Sequence, residues 1–174
     1  LLVVAKRLPA MTSLVQQLQR RTVKREYEAI ALGSPKSSGE VQLPIGRHPT
    51  RRTKMAVQPG GKEAVTHYWL LRQYGAYAHM KYALVTGRTH QIRVHMQHLG
   101  CPLVGDILYG TRKIPRDRIY PESLQALSRQ ALHARKLAFS HPITKSDLNI
   151  VVPLPEDMRQ ILNDLADMDG SSNA

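Results

Sequence analysis

The stretch Thr86-Gly-Arg-Thr-His-Gln-Ile-Arg-Val-His95 concentrates side chains that could do chemistry. Wound as a helix at about 100° per residue, it sets Ile92, Met96 and Leu99 on a core stripe and His90, Arg93 and Gln97 on an adjoining face, so polar groups converge. Arg88 and the free backbone N–H groups near Thr89 stand at the helix start, where the macrodipole and unpaired donors suit a phosphate or carboxylate. His90, His95 and His98 invite a metal reading, but only His95 and His98 lie one helical turn apart, so no metal is expected. His95, beside the apolar stripe, reads as a hydrogen-bonded, semi-core residue.

The elements that must position these groups follow from periodicity and turn signals. Leu1 to Ala5 is an apolar run with the look of a buried strand already in progress. Pro9 opens a helix with Met11, Leu14, Val15 and Leu18 at helical spacing, and the basic cluster Arg20, Arg21, Lys24, Arg25 follows. Lys24 to Leu32 reads as a strand, 33–39 as a turn, and Gly46 to Pro59 as a polar loop holding Arg47, His48, Arg51, Arg52 and Lys54. Residues 65–74 and 79–86 read as two strands of a meander. Gly87 ends the second, Thr89 can cap a helix to Leu99, and Gly100 stops it. After an irregular stretch, a helix is expected from Pro121 to Ala131, strands at 133–139 and 148–153, and a closing helix from Pro155 with Met158, Ile161, Leu162 and Leu165 on one face. Strands with interspersed helices and no βαβ rhythm give an α+β fold with a mainly antiparallel sheet.

The chain of 174 residues carries a formal charge of +12, unevenly spread: residues 1–145 hold 24 Lys+Arg against 7 Asp+Glu, and residues 146–174 hold 1 against 6. A basic body of that size attracts polyanions and is the electrostatic footprint of a nucleic-acid-binding surface. Membrane binding is not expected, because no basic amphipathic helix carries large aromatics on its apolar face and no run of about 18 apolar residues exists. The sequence opens Leu-Leu-Val-Val-Ala-Lys, without initiator Met or signal-peptide n-region, which suggests a soluble cytoplasmic protein cut from a longer parent. The single cysteine, Cys101, reads as a small buried hydrophobe.

Gly87-Arg-Thr-His-Gln-Ile-Arg-Val-His95 followed by Pro102-Leu-Val-Gly-Asp-Ile-Leu-Tyr109 resembles the signature of the RluA-type pseudouridine synthases. Lys24-Arg-Glu-Tyr-Glu-Ala-Ile-Ala-Leu-Gly33 resembles their active-site tyrosine segment, and Gly46-Arg-His-Pro-Thr-Arg-Arg-Thr-Lys-Met-Ala-Val57 a loop typical of the RluD branch. The likeness runs from residue 1 to about 165, leaving 166–174 as an acidic, polar tail. It implies the pseudouridine synthase fold, a mixed, mostly antiparallel sheet with flanking helices and the active-site cleft across it. It also implies no metal or organic cofactor.

By that resemblance the chain is the larger, C-terminal part of the catalytic domain of an enzyme that isomerises uridines of large-subunit (23S) ribosomal RNA, expected to act as a monomer. Arg93 matches the arginine that pairs with the family's nucleophilic aspartate and keeps it ionised, and Tyr27 the tyrosine that packs on the flipped base and could remove the C5 proton. The target uridine is stacked, so access requires flipping; Arg47, His48, Arg51, Arg52, Lys54 and Arg88, with His90 and Gln91, are expected to hold the displaced RNA. The aspartate's own His-Arg-Leu-Asp motif is absent here; it is expected upstream of Leu1, and no aspartate of the chain replaces it by motif, so the chain alone is expected to be inactive. A non-catalytic RNA-binding module of the same fold is the competing reading. A methyltransferase would need a glycine-rich cofactor turn after a strand, and a hydrolase a Gly-x-Ser-x-Gly elbow; neither occurs.

Overall fold

In the computed structural model, which describes residues 1–110 and 121–171, a six-stranded antiparallel sheet carries the chain's chemistry. The elements, in order, are α1 (Leu8–Gln19), β1 (Lys24–Leu32), β2 (Ser38–Gln42), β3 (Ile45–Arg47), β4 (Met55–Val57), β5 (Val65–Tyr74), β6 (Tyr77–Leu84), α2 (Gln91–His98), α3 (Glu122–Gln125), β7 (Leu132–Ser140), β8 (Asp147–Val151) and α4 (Glu156–Ser171). The sheet runs β2-β5-β6-β1-β7-β8, and β3 with β4 forms a separate two-stranded hairpin.

The strand β1 lies at the sheet's centre because its sequence serves both faces. Side chains alternate along a strand, so Tyr27, Ala29 and Ala31 meet one cluster, which includes Ile92 and Met96 of α2. Ile30 and Leu32 meet the other, which includes Met158, Ile161 and Leu165 of α4. Ala29, Ala31 and the facing Ala78 of β6 are fully buried; their small side chains let α2 come close to the sheet. Each large apolar residue that α4 buries contributes about 1.5–3 kcal/mol. Register keeps the face consistent, with Tyr27 opposite Tyr82 of β6 and Tyr82 opposite Tyr68 of β5.

After α2, Gly100 at φ +73° turns the chain back. Residues 102–104 then wedge between the end of β1 and the start of β7: Leu32 N donates to Pro102 O (2.8 Å), Val104 N to Ile30 O (2.9 Å) and Ala131 N to Val104 O (2.8 Å). The wedge delivers Asp106 and Tyr109 to the side of α2.

Several expectations need correction. Leu1 to Ala5 forms no strand; Leu2 and Val4 are exposed and only Ala5 packs inward. The nearby β7 is already paired on both sides, by β1 and β8, and offers the segment no free ladder. In α1 only Leu14 is buried, against Val23, Leu137 and Phe139, while Met11, Val15 and Leu18 face outward. The expected helix from Pro121 to Ala131 shrinks to the single turn α3, because Gln130 to Leu132 are drawn into pairing with the wedge and β1. The ends of the polar loop 46–59 zip into the β3–β4 hairpin, Ile45 opposite Val57 and Arg47 opposite Met55. Leu99, expected in the core, is 40% exposed. The irregular stretch expected after the α2 helix lies partly outside the described residues.

Candidate active site

Arg93 and Asp106 form the floor of the site. Arg93 Nε donates to Asp106 Oδ2 at 2.7 Å and Nη2 to Oδ1 at 2.8 Å, a bidentate fork. The Asp106 side chain is 0% exposed and that of Arg93 10%. Oδ1 accepts two further bonds, from the backbone N–H groups of Leu108 and Tyr109, both at 3.0 Å. Burial by itself would raise the Asp106 carboxyl; the Arg93 fork and the two amides overcome it and hold the carboxyl below its ordinary range. The same hydrogen bond raises the Arg93 guanidinium's pKa against the opposing effect of burial.

Tyr109 covers this pair. Its ring centroid lies 4.8 Å from Arg93 Cζ and 5.7 Å from Lys54 Nζ. Its hydroxyl accepts from Met55 N–H at 2.8 Å, fastening the hairpin, and lies 2.9 Å from His90 Nδ1. The hydroxyl proton can be donated to that nitrogen in the tautomer that carries its proton on Nε2. Burial first, then the Arg93 charge, lowers the His90 pKa, with Asp106 opposing, which favours the neutral imidazole. Sequence reasoning placed Tyr109 in a motif but gave it no role, and nothing short of the fold shows that it joins α2 to the hairpin.

The start of α2 differs from the expected cap. Thr89 does not cap the helix; His90 takes the N-cap position in the left-handed region, φ 57°. Gln91 fixes this turn. Its Oε1 accepts from Thr86 Oγ1 (2.8 Å) and Arg88 N (2.9 Å), and its Nε2 donates to Val65 O and Thr66 Oγ1, both at 2.9 Å. At 2% exposure, with its amide fully engaged, Gln91 has no capacity left for RNA, which corrects its place among the expected contacts. His95 is the hydrogen-bonded core residue expected, its Nδ1 2.9 Å from Thr66 Oγ1 and Nε2 3.1 Å from Leu43 O. Among the described residues no group of three or more His, Cys, Asp or Glu is placed to hold a metal ion. Cys101 is free and buried.

Tyr27 faces the cluster on which α2 packs, so the helix bearing Arg93 lies against the sheet face bearing Tyr27. Burial raises the Tyr27 phenol above its ordinary value, and the nearby Arg25 charge opposes that. The hairpin tip presents Arg47, Arg51 and Arg52 outward. His48 shapes the tip: its Nδ1 accepts from Thr50 N at 3.3 Å and Arg51 N at 3.2 Å. His48, Arg51 and Lys54 line a hollow with Val94, Gln97 and His98. Arg88 turns away, its Nε donating to Glu63 O at 2.8 Å, and lines a second hollow with Arg47 and Lys62. Gln97 is exposed and stands apart from the Arg93 pair.

The sequence profile of the RNA pseudouridylate synthase family matches residues 1–98. The chain belongs to that family. The chain is 48% identical over 165 residues to ribosomal large subunit pseudouridine synthase D of Escherichia coli (strain K12), covering 93% of this chain and 51% of the relative. The protein of the same name from Haemophilus influenzae is 49% identical over 168 residues, covering 95% and 52%. This RNA pseudouridylate synthase relative is thus RluD-like, as the motifs led us to expect, and spans about half the length of the curated relatives it matches. Among solved structures, human RNA pseudouridylate synthase domain containing 1 superposes with a TM-score of 0.68 at 25% identity, covering 94% of this chain and 74% of that one. Human RNA pseudouridylate synthase domain containing 4 gives 0.66 at 28%, covering 90% and 67%. The family fold, with its mostly antiparallel sheet, is therefore the fold of this chain.

Proposed function

We propose that the chain is the larger part of the catalytic domain of a pseudouridine synthase acting on uridines of large-subunit ribosomal RNA, working as a monomer in the cytoplasm and without metal or organic cofactor. The observation that carries the reading is the motif arginine in a buried fork beside the sheet face of the motif tyrosine. Among the described residues no helix is long and apolar enough to cross a membrane.

The reaction cleaves the bond from ribose to N1, turns the uracil and rejoins it through C5. Asp106 is unsuited to be the nucleophile: both its oxygens are committed to Arg93 and to backbone N–H groups, away from solvent. The attacking carboxylate comes from outside these motifs, and Arg93 meets it with Nη1 and its outer edge while Asp106 fixes the fork in place. Tyr27 receives the flipped base on its ring. Its phenol, which burial holds protonated, takes the C5 proton by passing its own hydroxyl proton to the attacking carboxylate as that group leaves the sugar, once carboxylate and base are in position. Arg47, His48, Arg51, Arg52, Lys54 and Arg88 hold the displaced backbone, and neutral His90 offers Nε2–H as a donor.

The test is pseudouridine formation by the natural protein carrying this chain, in EDTA, on ribosomal RNA and on the same RNA containing 5-fluorouridine. Tyr27→Phe is expected to bind and flip the base yet fail to finish the product. Parent-rate product from Tyr27→Phe would reduce Tyr27 to packing. RNA binding with no isomerisation by the natural protein would leave the competing reading, an RNA-binding module, which the committed state of Asp106 favours.

A further inference from the structure

Among the described residues Arg25 has no counter-ion. It lies on β1 two residues before Tyr27 and so on the same sheet face, about 6.6 Å along the strand. Among the described residues it makes no hydrogen bond or ion pair, and its Nε is buried with no acceptor. The glutamates of β1 are engaged elsewhere: Glu26 with Lys81 at 2.9 Å, Glu28 with His79 at 3.0 Å and with Arg135 at 3.2 Å. Glu63, near the same loop, is held by Arg21 at 2.8 Å.

The guanidinium nonetheless has a definite neighbour. It lies against Gly87, where an added Cβ would collide with Nη1 and approach Cζ to 3.3 Å. Gly87 is not one of the glycines with positive φ, so its backbone does not itself require glycine. Its neighbours are pinned, Thr86 by Gln91 and Arg88 by Glu63 O. A side chain at 87 would push the mobile end of Arg25 out of the space it occupies. A desolvated cation left without an acceptor keeps its charge available to an anion that arrives.

We propose that Arg25 is a phosphate-holding residue, gripping the RNA phosphodiester beside the uridine that Tyr27 receives, with Gly87 left bare to seat its guanidinium. This rests on the reading of the chain as an RNA-modifying domain with Tyr27 at the base. The effect of Arg25 on the Tyr27 phenol, opposing the rise due to burial, agrees with the two groups lying close together on one face of β1.

The test is the salt dependence of RNA binding by the natural protein, for wild type, Arg25→Gln, Arg25→Lys, Gly87→Ala and the double variant Arg25→Gln/Gly87→Ala. Arg25→Gln is expected to lower the log–log slope by about 0.7, one phosphate contact on single-stranded RNA. Arg25→Lys keeps the slope. Gly87→Ala, which only displaces the guanidinium, reproduces the loss, and the double variant shows no more than either single one. One methylphosphonate beside the target uridine lowers the wild-type slope equally and leaves that of Arg25→Gln unchanged. A structural role alone would move melting temperature and not these slopes. An unchanged slope in Arg25→Gln, or additive losses in the double variant, overturns the proposal. Full isomerase activity in Tyr27→Phe with the slope loss intact overturns the Tyr27 reading instead, and a wild type that binds no RNA overturns both.

Discussion

Replacing Arg93 with Met keeps the aliphatic volume and removes the charge, leaving the Asp106 carboxylate 0% exposed with only the Leu108 and Tyr109 amides as partners. Breaking one side of a buried ion pair costs about 3–5 kcal/mol. At about 2–4 °C per kcal/mol for a chain of this size, the melting temperature should fall by about 6–20 °C. The pH dependence is the sharper readout. In the wild type the folded carboxyl is depressed, so its contribution to stability is complete above the unfolded value near about 4 and lost as pH falls through the folded one. In Arg93→Met burial dominates and the folded value rises, so the folded state binds more protons than the unfolded one, and stability is lost as pH rises through that window. Urea titrations from about pH 3 to pH 7, each compared with Asp106→Asn to cancel the other carboxylates, should give difference curves of opposite slope. Parallel curves, or a loss under about 1 kcal/mol, would refute the assignment of Arg93 and Asp106 as one buried electrostatic unit.

Three further outcomes follow from the same geometry. Replacing Arg51 and Arg52 together with Ala should lower the salt slope of RNA binding by about 1.4–1.8 without changing sequence preference, read by filter binding against two unrelated RNAs. Gln91→Leu should destabilise by at least about 2 kcal/mol in urea titrations, since Arg88 N–H and Val65 C=O each lose a buried partner. Tyr109→Phe should cost about 1–3 kcal/mol of local stability and speed hydrogen exchange at the Met55 amide, leaving exchange at β1 unaltered.

The parts of the fold that sequence made legible are those whose pattern has one physical solution. The run Lys24 to Leu32 is a strand to the residue, because its alternation serves two covered faces. The closing helix buries Met158, Ile161 and Leu165 as its stripe requires. The misreadings share one cause. The stripe of α1 and the run Leu1 to Ala5 show which side chains could be buried, and periodicity is silent on whether a partner surface stands opposite; here only Leu14 and Ala5 find one. The helix expected through Ala131 failed for the converse reason, a long-range backbone demand from the 102–104 wedge that local propensity cannot register.

The site divides along the same line. The motif resemblance marked Arg93 as a buried arginine meant for an aspartate outside the chain; that Asp106 would hold it was not legible, because thirteen positions and a reversal at Gly100 separate them. The consequence reaches the chemistry. An arginine already neutralised by Asp106 exerts a weaker field on a second carboxylate than a free one would, so its value to catalysis lies in a fixed direction of hydrogen bonding more than in net charge. Gln91 carries the argument one step further. Its polarity suggested a ligand contact, whereas its amide saturates four protein groups and thereby sets the left-handed turn at His90. Arg25 is the reverse case, one member of a basic cluster in the sequence whose buried Nε no described residue answers. In a basic chain, composition identifies the polyanion, and only the count of satisfied donors separates the cations that hold the fold from those kept for the substrate.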